Sequence, residues 1–414
     1  MLDINFIKEN PEKVKQGIKK KGYDAKIIDR VLKVDETRRQ LMAEVDKWRQ
    51  ARNKLKKSEK EKGKRIKEML RRLEPDLRAV EEEFKNLLME IPNLPADDVP
   101  EGKDESENVE VRKWGKLKKF SFKPKDYQQL GGQLDLIDIK TASKVSGTRF
   151  GYLKNEAVQL EFALVQLALE VLVKEGFIPV VPPIMIKDEM MKGMGYLEHG
   201  GEDQTYHLKE DKLYLIGTAE QSLGPIHANE ILEAKNLPLR YLGFSTCLRR
   251  EAGTYGKDTK GIFRVHQFDK MEMFSFIKPQ KDGDKKENDY LLSLEEKLVR
   301  ALEIPYQITK MCAGDLAHPQ VRKYDVNCWF PAEKRYRETH STSTCTDYQA
   351  KRLNIRYREG SKTDFVHTLN GTAFAIGRMI LAILENYQQR DGSVIIPKVL
   401  QKYTGFKKIS PKNK

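Results

Sequence analysis

Apolar residues in the first 91 positions fall on alternating steps of four and three. One series is Ile27, Val31, Val34, Leu41, Val45, Trp48 and Leu55, with its gaps filled by Arg38 and Arg52. A second is Ile66, Leu70, Leu73, Leu77, Val80, Phe84, Leu87 and Ile91. Each holds for about four heptads, which predicts coiled-coil helices. The segment 56–63 (KKSEKEKG) reads as a turn, so the two helices form an antiparallel hairpin. At 1.5 Å per residue the arm is roughly 45 Å long. Pro75 removes a helical hydrogen bond, so the second helix is expected to bend or restart there. Further on the pattern is mixed. Leu160 to Lys174 has helical spacing, as does the apolar run Ala373 to Tyr387. Phe177 to Ile186, Leu213 to Ile216, Tyr241 to Cys247 and Met271 to Ile277 read as strands. This mixture predicts an α+β domain with a largely antiparallel sheet.

Charge adds a partner class. The chain of 414 residues carries a formal +14, and Lys47 to Arg72 holds 13 basic residues against 3 acidic. Clustered cations favour a polyanion, with nucleic acid ahead of a membrane surface. The other reading of the hairpin is a dimerising scaffold with a solvated face. The Pro-rich connector Pro92 to Asp104 sets the expected boundary: residues 1–104 for the arm and connector, 105–414 for a catalytic domain with a short basic tail. No run of about 18 apolar residues exists, so no membrane helix is expected. MLDINFIKENPEKVK lacks the apolar stretch of a signal peptide. Cys247, Cys312, Cys328 and Cys345 form no C-x-x-C pair, which argues against a zinc ribbon or a disulfide framework. A reduced, cytoplasmic enzyme fits these features.

Common nucleotide motifs are missing. There is no P-loop, and Gly193-Met-Gly195 starts a dinucleotide pattern that fails at its third glycine and reads as a flexible loop. Asn370-Gly371-Thr372 matches a glycosylation sequon without other signs of secretion. The chemistry concentrates in residues 244–276, FSTCLRREAGTYGKDTKGIFRVHQFDKMEMFSF. Arg249, Arg250 and Glu251 end one strand, and a second returns Arg264, Phe268 and Glu272. Alternation puts Arg249 and Glu251 on one face. The hairpin thus supplies a guanidinium fork for phosphate, an aromatic face for a base and carboxylates for amino groups. A surface hairpin with cross-strand ion pairs is the plain alternative. Polar clusters at Thr218 to Glu220, Glu338 to Ser343 and Thr368 to Thr372 shift the balance toward a site.

The combination closely resembles the bacterial-type seryl-tRNA synthetases, of class II. The marks are MLDINFIKENPE, the hairpin arm, IPNLPADDVPEGKDESENVEVRKWG (91–115), GTAE (217–220), LRREAGTYGKDTKG with RVHQFDKMEM, and HTLNGTAFAIGR with ENYQQRDG. FIPVVPPIMI resembles the motif that builds the class II dimer interface. The resemblance runs from Met1 to about Pro397.

It implies an antiparallel-sheet catalytic domain, flanked by helices, that binds ATP with Mg²⁺ and no zinc. L-serine would be activated to seryl-adenylate and transferred to tRNA(Ser), and to tRNA(Sec) where that is present. By position, Arg249 meets the α-phosphate, Glu251 the adenine amino group, Phe268 the adenine face and Arg378 the γ-phosphate. Arg250, Val265, Thr339, His340 and Ser341 complete the ATP set. Glu338 and Ser341 hold magnesium, and Arg249, Arg378 and Glu338 carry the catalysis. Thr218, Ala219, Glu220, Arg249, Glu272, Asn370 and Thr372 form the serine site, with Glu220 at the ammonium and Glu272 and Thr372 at the hydroxyl. Arg52, Lys54, Lys56 and Lys57 at the arm's tip would grip the long variable arm of tRNA(Ser). A homodimer is implied.

Some positions depart from the family pattern. Arg250 and Thr372 stand where Ser is common, His340 interrupts a usual E-[IV]-S-S, and the arm is somewhat short. A noncatalytic RNA-binding relative would be free to lose the ATP arginines or the amino-acid clamp, and this chain keeps them. A ligase for another small amino acid would favour apolar residues at 272 or 372, and this chain has none there.

Overall fold

The computed structural model describes residues 1–56, 58–252 and 261–411. The chain divides into two compact units, Met1–Pro95 and Ala96–Lys414.

In the first unit, helices α1 (Ile4–Glu9), α2 (Pro11–Lys20), α3 (Lys26–Asn53) and α4 (Lys60–Glu90) follow one another. The long pair, α3 and α4, forms the hairpin. Val45 packs with Ile66, Leu70, Leu73 and Leu77 along its shaft, and Arg49 reaches Glu74 across it at 3.0 Å. At the base, Ile7, Val14 and Ile18 pack on Ile28, Val31, Leu87, Leu88 and Ile91. The helix starts at Lys60, inside the segment expected to turn, and α4 runs through Pro75 without restarting. Burial drifts from the expected series, because Ile28 is fully buried and Ile27 is not. A carboxylate also enters this core. Asp35 is fully buried, bonded to Arg38 at 2.7 Å and Arg39 at 3.0 Å and paired with Lys8. Arg38, which fills a gap in the apolar series, lies 4.6 Å over the Phe84 ring. The guanidinium thus joins the polar and apolar halves of the seam.

The second unit is built on an eight-stranded sheet. Its strands are β1 (Val109–Trp114), β2 (Ile178–Val180), β3 (Leu239–Leu248), β4 (Gln267–Ile277), β5 (Tyr306–Lys310), β6 (Arg322–Phe330), β7 (Arg335–Thr346) and β8 (His367–Ala375). The order is β1-β5-β6-β7-β8-β4-β3-β2, antiparallel throughout except where β2 meets β3. Helices α5 (Glu156–Lys174), α6 (Asp188–Met194), α7 (Glu220–Leu223), α8 (Gly283–Ala301), α9 (Tyr348–Leu353) and α10 (Ile376–Tyr387) surround it. Helix α10 is apolar on nearly every side and lies inside the main core.

Two apolar runs of the second unit are divided differently from the sequence reading. The run Ala373–Ala375 belongs to β8, and the helix begins only at Ile376. A continuous apolar run hides a change of period. The Pro-punctuated run 177–186 is also not one strand. Pro182-Pro183 follows β2, and Met185–Lys187 joins a separate small sheet with Leu213–Leu215.

Candidate active site

A cavity of about 460 Å³ gathers residues from the ends of β3, β4, β7 and β8 and from the loop before α7. One group of lining residues is Glu251, Arg264, Val265 and Phe268. Another is Tyr196, Thr218, Glu220, Lys270, Glu272 and Thr372. Arg249, Glu338 and Arg378 line it as well.

Local departures from regular strands bring these side chains together. Strand β3 ends at Leu248, so the alternation expected for Arg249 and Glu251 does not apply. Glu251 instead adopts the left-handed region at φ 50°, which few non-glycine residues do. Its carboxylate meets Arg264 at 3.0 Å. Arg249 Nε donates to the Gly217 carbonyl at 3.0 Å, and its guanidinium lies 5.2 Å from the Phe268 ring. A Cβ on Gly217 would crowd this arginine, 3.3 Å from its Cγ. Strand β7 carries an extra residue. Val326 pairs with His340 and Asn327 with Glu338, which leaves Thr339 as a bulge. Consecutive residues 338–341 therefore line the cavity where a regular strand would offer alternate ones. A second register shift places Glu272 opposite Thr372, whose hydroxyl donates to Glu272 at 3.4 Å.

Opposite charges are interleaved. Lys270 lies 2.6 Å from Glu272, Lys323 3.1 Å from Asp325, and Arg378 3.3 Å from Glu338. Confinement raises a carboxyl's pKa, but Arg378, Lys323 and Arg249 more than offset this at Glu338 and hold it below the ordinary range. Burial, aided by Glu272, pushes Glu220 upward against the hydrogen bonds that it accepts. Burial drives the His340 imidazole down to about 3. That ring is 1% exposed, 2.9 Å from the Thr339 hydroxyl and against Phe374, so it is a neutral piece of wall. The Thr339 hydroxyl points the same inward way, donating to the Val326 carbonyl.

Most of the expected set lines the cavity: Thr218, Glu220, Arg249, Glu251, Val265, Phe268, Glu272, Glu338, Thr339, His340, Ser341, Asn370, Thr372 and Arg378. Two residues do not. Ala219 is fully buried in an apolar cluster with Leu223 and Tyr241. Arg250 is exposed, and its backbone N–H donates to the Gln204 carbonyl. In the arm, Arg52, Lys54 and Lys56 are exposed; Lys57 and the loop 253–260 lie outside the described residues. Asn370 of the sequon is 6% exposed on β8 and binds Ser343 at 2.8 Å. Tyr196 and Lys323 also line the cavity and were not foreseen. Tyr196 follows Gly193-Met-Gly195, which closes α6 with Gly195 in the left-handed cap. The signal that could have found it is that cap: a helix ending there aims the next residue at a fixed place.

Glu338 and Ser341 offer hard oxygen donors, and the Glu338 side chain is 43% exposed. Among the described residues no group of three or more His, Cys, Asp or Glu side chains is arranged to hold a metal. Two protein oxygens suit Mg²⁺, which keeps several waters and takes substrate phosphates as further ligands.

Residues 1–95 match the family description "Seryl-tRNA synthetase N-terminal domain", and residues 205–387 match "tRNA synthetase class II core domain (G, H, P, S and T)". The serine–tRNA ligase of Dictyoglomus thermophilum is 46% identical over 426 residues, covering 100% of both chains. A crystal structure of seryl-tRNA synthetase from Pyrococcus horikoshii complexed with ATP superimposes with a TM-score of 0.93 at 41% identity, again over 100% of each chain. That of the cytoplasmic serine–tRNA ligase from Naegleria fowleri with AMP gives 0.90 at 32%, covering 100% of this chain and 99% of that one. With both halves of its architecture and its whole length so matched, the chain belongs to the seryl-tRNA synthetase family.

Proposed function

We propose that this cavity joins L-serine to ATP and then passes the serine to the 3′-terminal ribose of tRNA(Ser). One observation carries the reading: a single cavity holds a phosphate-type arginine, an aromatic platform and a buried carboxylate pair together. Adenine stacks on Phe268 with its amino group at Glu251. Arg249 holds the α-phosphate and Arg378 the γ-phosphate. Glu220 takes the ammonium, while Glu272 and Thr372 take the hydroxyl. A serine carboxylate oxygen then attacks the α-phosphorus. An O–P bond forms, the bond to the bridging oxygen breaks, and pyrophosphate leaves. Both reactants are anions, so the cationic side chains offset their repulsion and fix the in-line approach. Glu338 and Ser341 would hold a magnesium ion, which would supply positive charge to the phosphates. The ribose hydroxyl next attacks the activated carbonyl, forming the ester and releasing AMP. Alanine is rejected because it lacks the hydroxyl that Glu272 and Thr372 would bind.

ATP–pyrophosphate exchange, scanned over serine, threonine, alanine, glycine and cysteine, tests this. Exchange with serine alone is expected. Exchange with none would end the catalytic reading and favour RNA binding without chemistry.

The protein acts as a homodimer in the cytoplasm, with the arm reading the variable arm of tRNA(Ser) by shape and phosphates. Phe162, Val158, Ile178 and Val181 expose apolar surface on and beyond α5, and Val181 is 80% exposed. Exposed apolar side chains of this size suit burial against a second copy. None of Cys247, Cys312, Cys328 and Cys345 forms a disulfide and all four are buried, in keeping with a reducing compartment. No helix among the described residues is long and apolar enough to cross a membrane. Sedimentation at micromolar concentration should give twice the chain mass. Phe162→Asp should halve it, and a monomer at every concentration would rule the dimer out.

A further inference from the structure

Glu220 presents a physical problem. Its residue is 4% exposed, and Glu272 stands close enough to disfavour its charge. A buried carboxylate in such a place tends to take up a proton. A neutral acid would be a poor receptor for an ammonium ion.

The surrounding hydrogen bonds act against that protonation. The Tyr196 hydroxyl donates to Glu220 Oε1 at 2.7 Å, and Gln349 Nε2 donates to the same oxygen at 3.3 Å. Both donors fall on Oε1, which leaves Oε2 as the oxygen to meet a ligand in the cavity. The Gln349 amide is itself fixed from three sides. Its Nε2 also donates to the Met194 carbonyl at 3.2 Å, and its Oε1 accepts from the Thr368 hydroxyl at 2.7 Å. A carbonyl and a carboxylate on one side and a hydroxyl on the other permit one amide orientation. The donors come from three places: the segment after α6, helix α9 and strand β8. The charged groups facing Glu220 are Lys270 and Glu272, both from β4.

We propose that Tyr196 and Gln349 are positioning residues that keep Glu220 charged and turn its Oε2 toward the ammonium of the amino acid, with Thr368 holding the Gln349 amide the right way round. The inference rests on the reading above that Glu220 receives that ammonium. Neither side chain needs to touch the reacting atoms.

Serine-dependent ATP–pyrophosphate exchange on the full chain tests it, with serine KM, ATP KM and the pH profile of kcat/KM measured for Tyr196→Phe, Gln349→Met, Thr368→Val and Glu220→Gln. Tyr196→Phe is expected to raise serine KM about tenfold, the scale of one hydrogen bond to a charged group. ATP KM should hold. Without that donor Glu220 protonates more readily, so the acid limb of kcat/KM should move to higher pH. Gln349→Met should shift both quantities the same way, and Thr368→Val less. The proposal is overturned if serine KM and the acid limb stay put in Tyr196→Phe while Glu220→Gln loses serine binding; the ammonium reading then stands. If Glu220→Gln keeps a normal serine KM, the ammonium reading itself fails. Equal losses for serine and ATP in both Tyr196→Phe and Gln349→Met would make the role structural and also overturn it.

Discussion

The hairpin and the cavity treat charge in opposite ways. At the tip, Arg52, Lys54 and Lys56 are exposed, and nearby pairs such as Lys62–Glu59 and Lys64–Glu61 lie in water. Such pairs contribute little, and an excess of cations acts there as a diffuse field. In the cavity, Arg264, Lys270, Lys323 and Arg378 each sit beside a fixed carboxylate. A diffuse field suits a partner met by shape and phosphate. Fixed pairs suit a reaction in which charge must develop at one point.

The comparison can be broken most severely at Arg249. Arg249→Ala should cut exchange by on the order of 10³-fold or more, the scale of losing an arginine at a transferring phosphoryl group. Its melting curve should match that of the parent; normal exchange would remove the phosphate role. Next in size is the one place where the hairpin behaves like the cavity. Breaking the buried cluster with Asp35→Asn should destabilise the first unit by about 3 kcal/mol at neutral pH, read as faster amide exchange in α3 and α4. Burial opposes the charge on Asp35, but Lys8 and Arg38 outweigh it and hold the carboxyl below its ordinary range. Its stabilisation is therefore complete above the unfolded carboxyl's pKa and lost as pH falls through the lower folded value. The gap between variant and parent should close in acid, and a gap that widened there would contradict the pairing. The smallest effect belongs to the tip. Neutralising Lys54, Lys56 and Lys57 should weaken tRNA charging about tenfold and flatten its salt dependence by roughly one unit of slope per lost phosphate contact. Serine activation should not change; an equal loss in both steps would sink the arm's role.

The two regions also differ in how much their sequence discloses. A heptad seam needs only one period, so the hairpin was legible down to most of its seam positions. It failed at Asp35, because a charge in a core is decided by partners such as Lys8 that lie far away in sequence. In the cavity the residue types were legible as chemistry. Their convergence was not, since it depends on Glu251 leaving the strand and on Thr339 breaking the pleat. Ala219 and Tyr196 show the same limit. Both flank readable motifs, yet the turn of α7 buries one and the cap of α6 delivers the other to the wall.

The bulge at Thr339 also bears on how chain length can change through descent. Deleting that one residue would restore regular pairing and turn Glu338 to the opposite face of the sheet. Lineages should therefore keep strand β7 free of single-residue insertions and deletions. The hairpin has no such arithmetic. Seven residues added to each helix extend it by about 10 Å and leave every facing pair in place. Relatives should vary in length at the arm, in matched heptads, while the strands around the cavity keep their count.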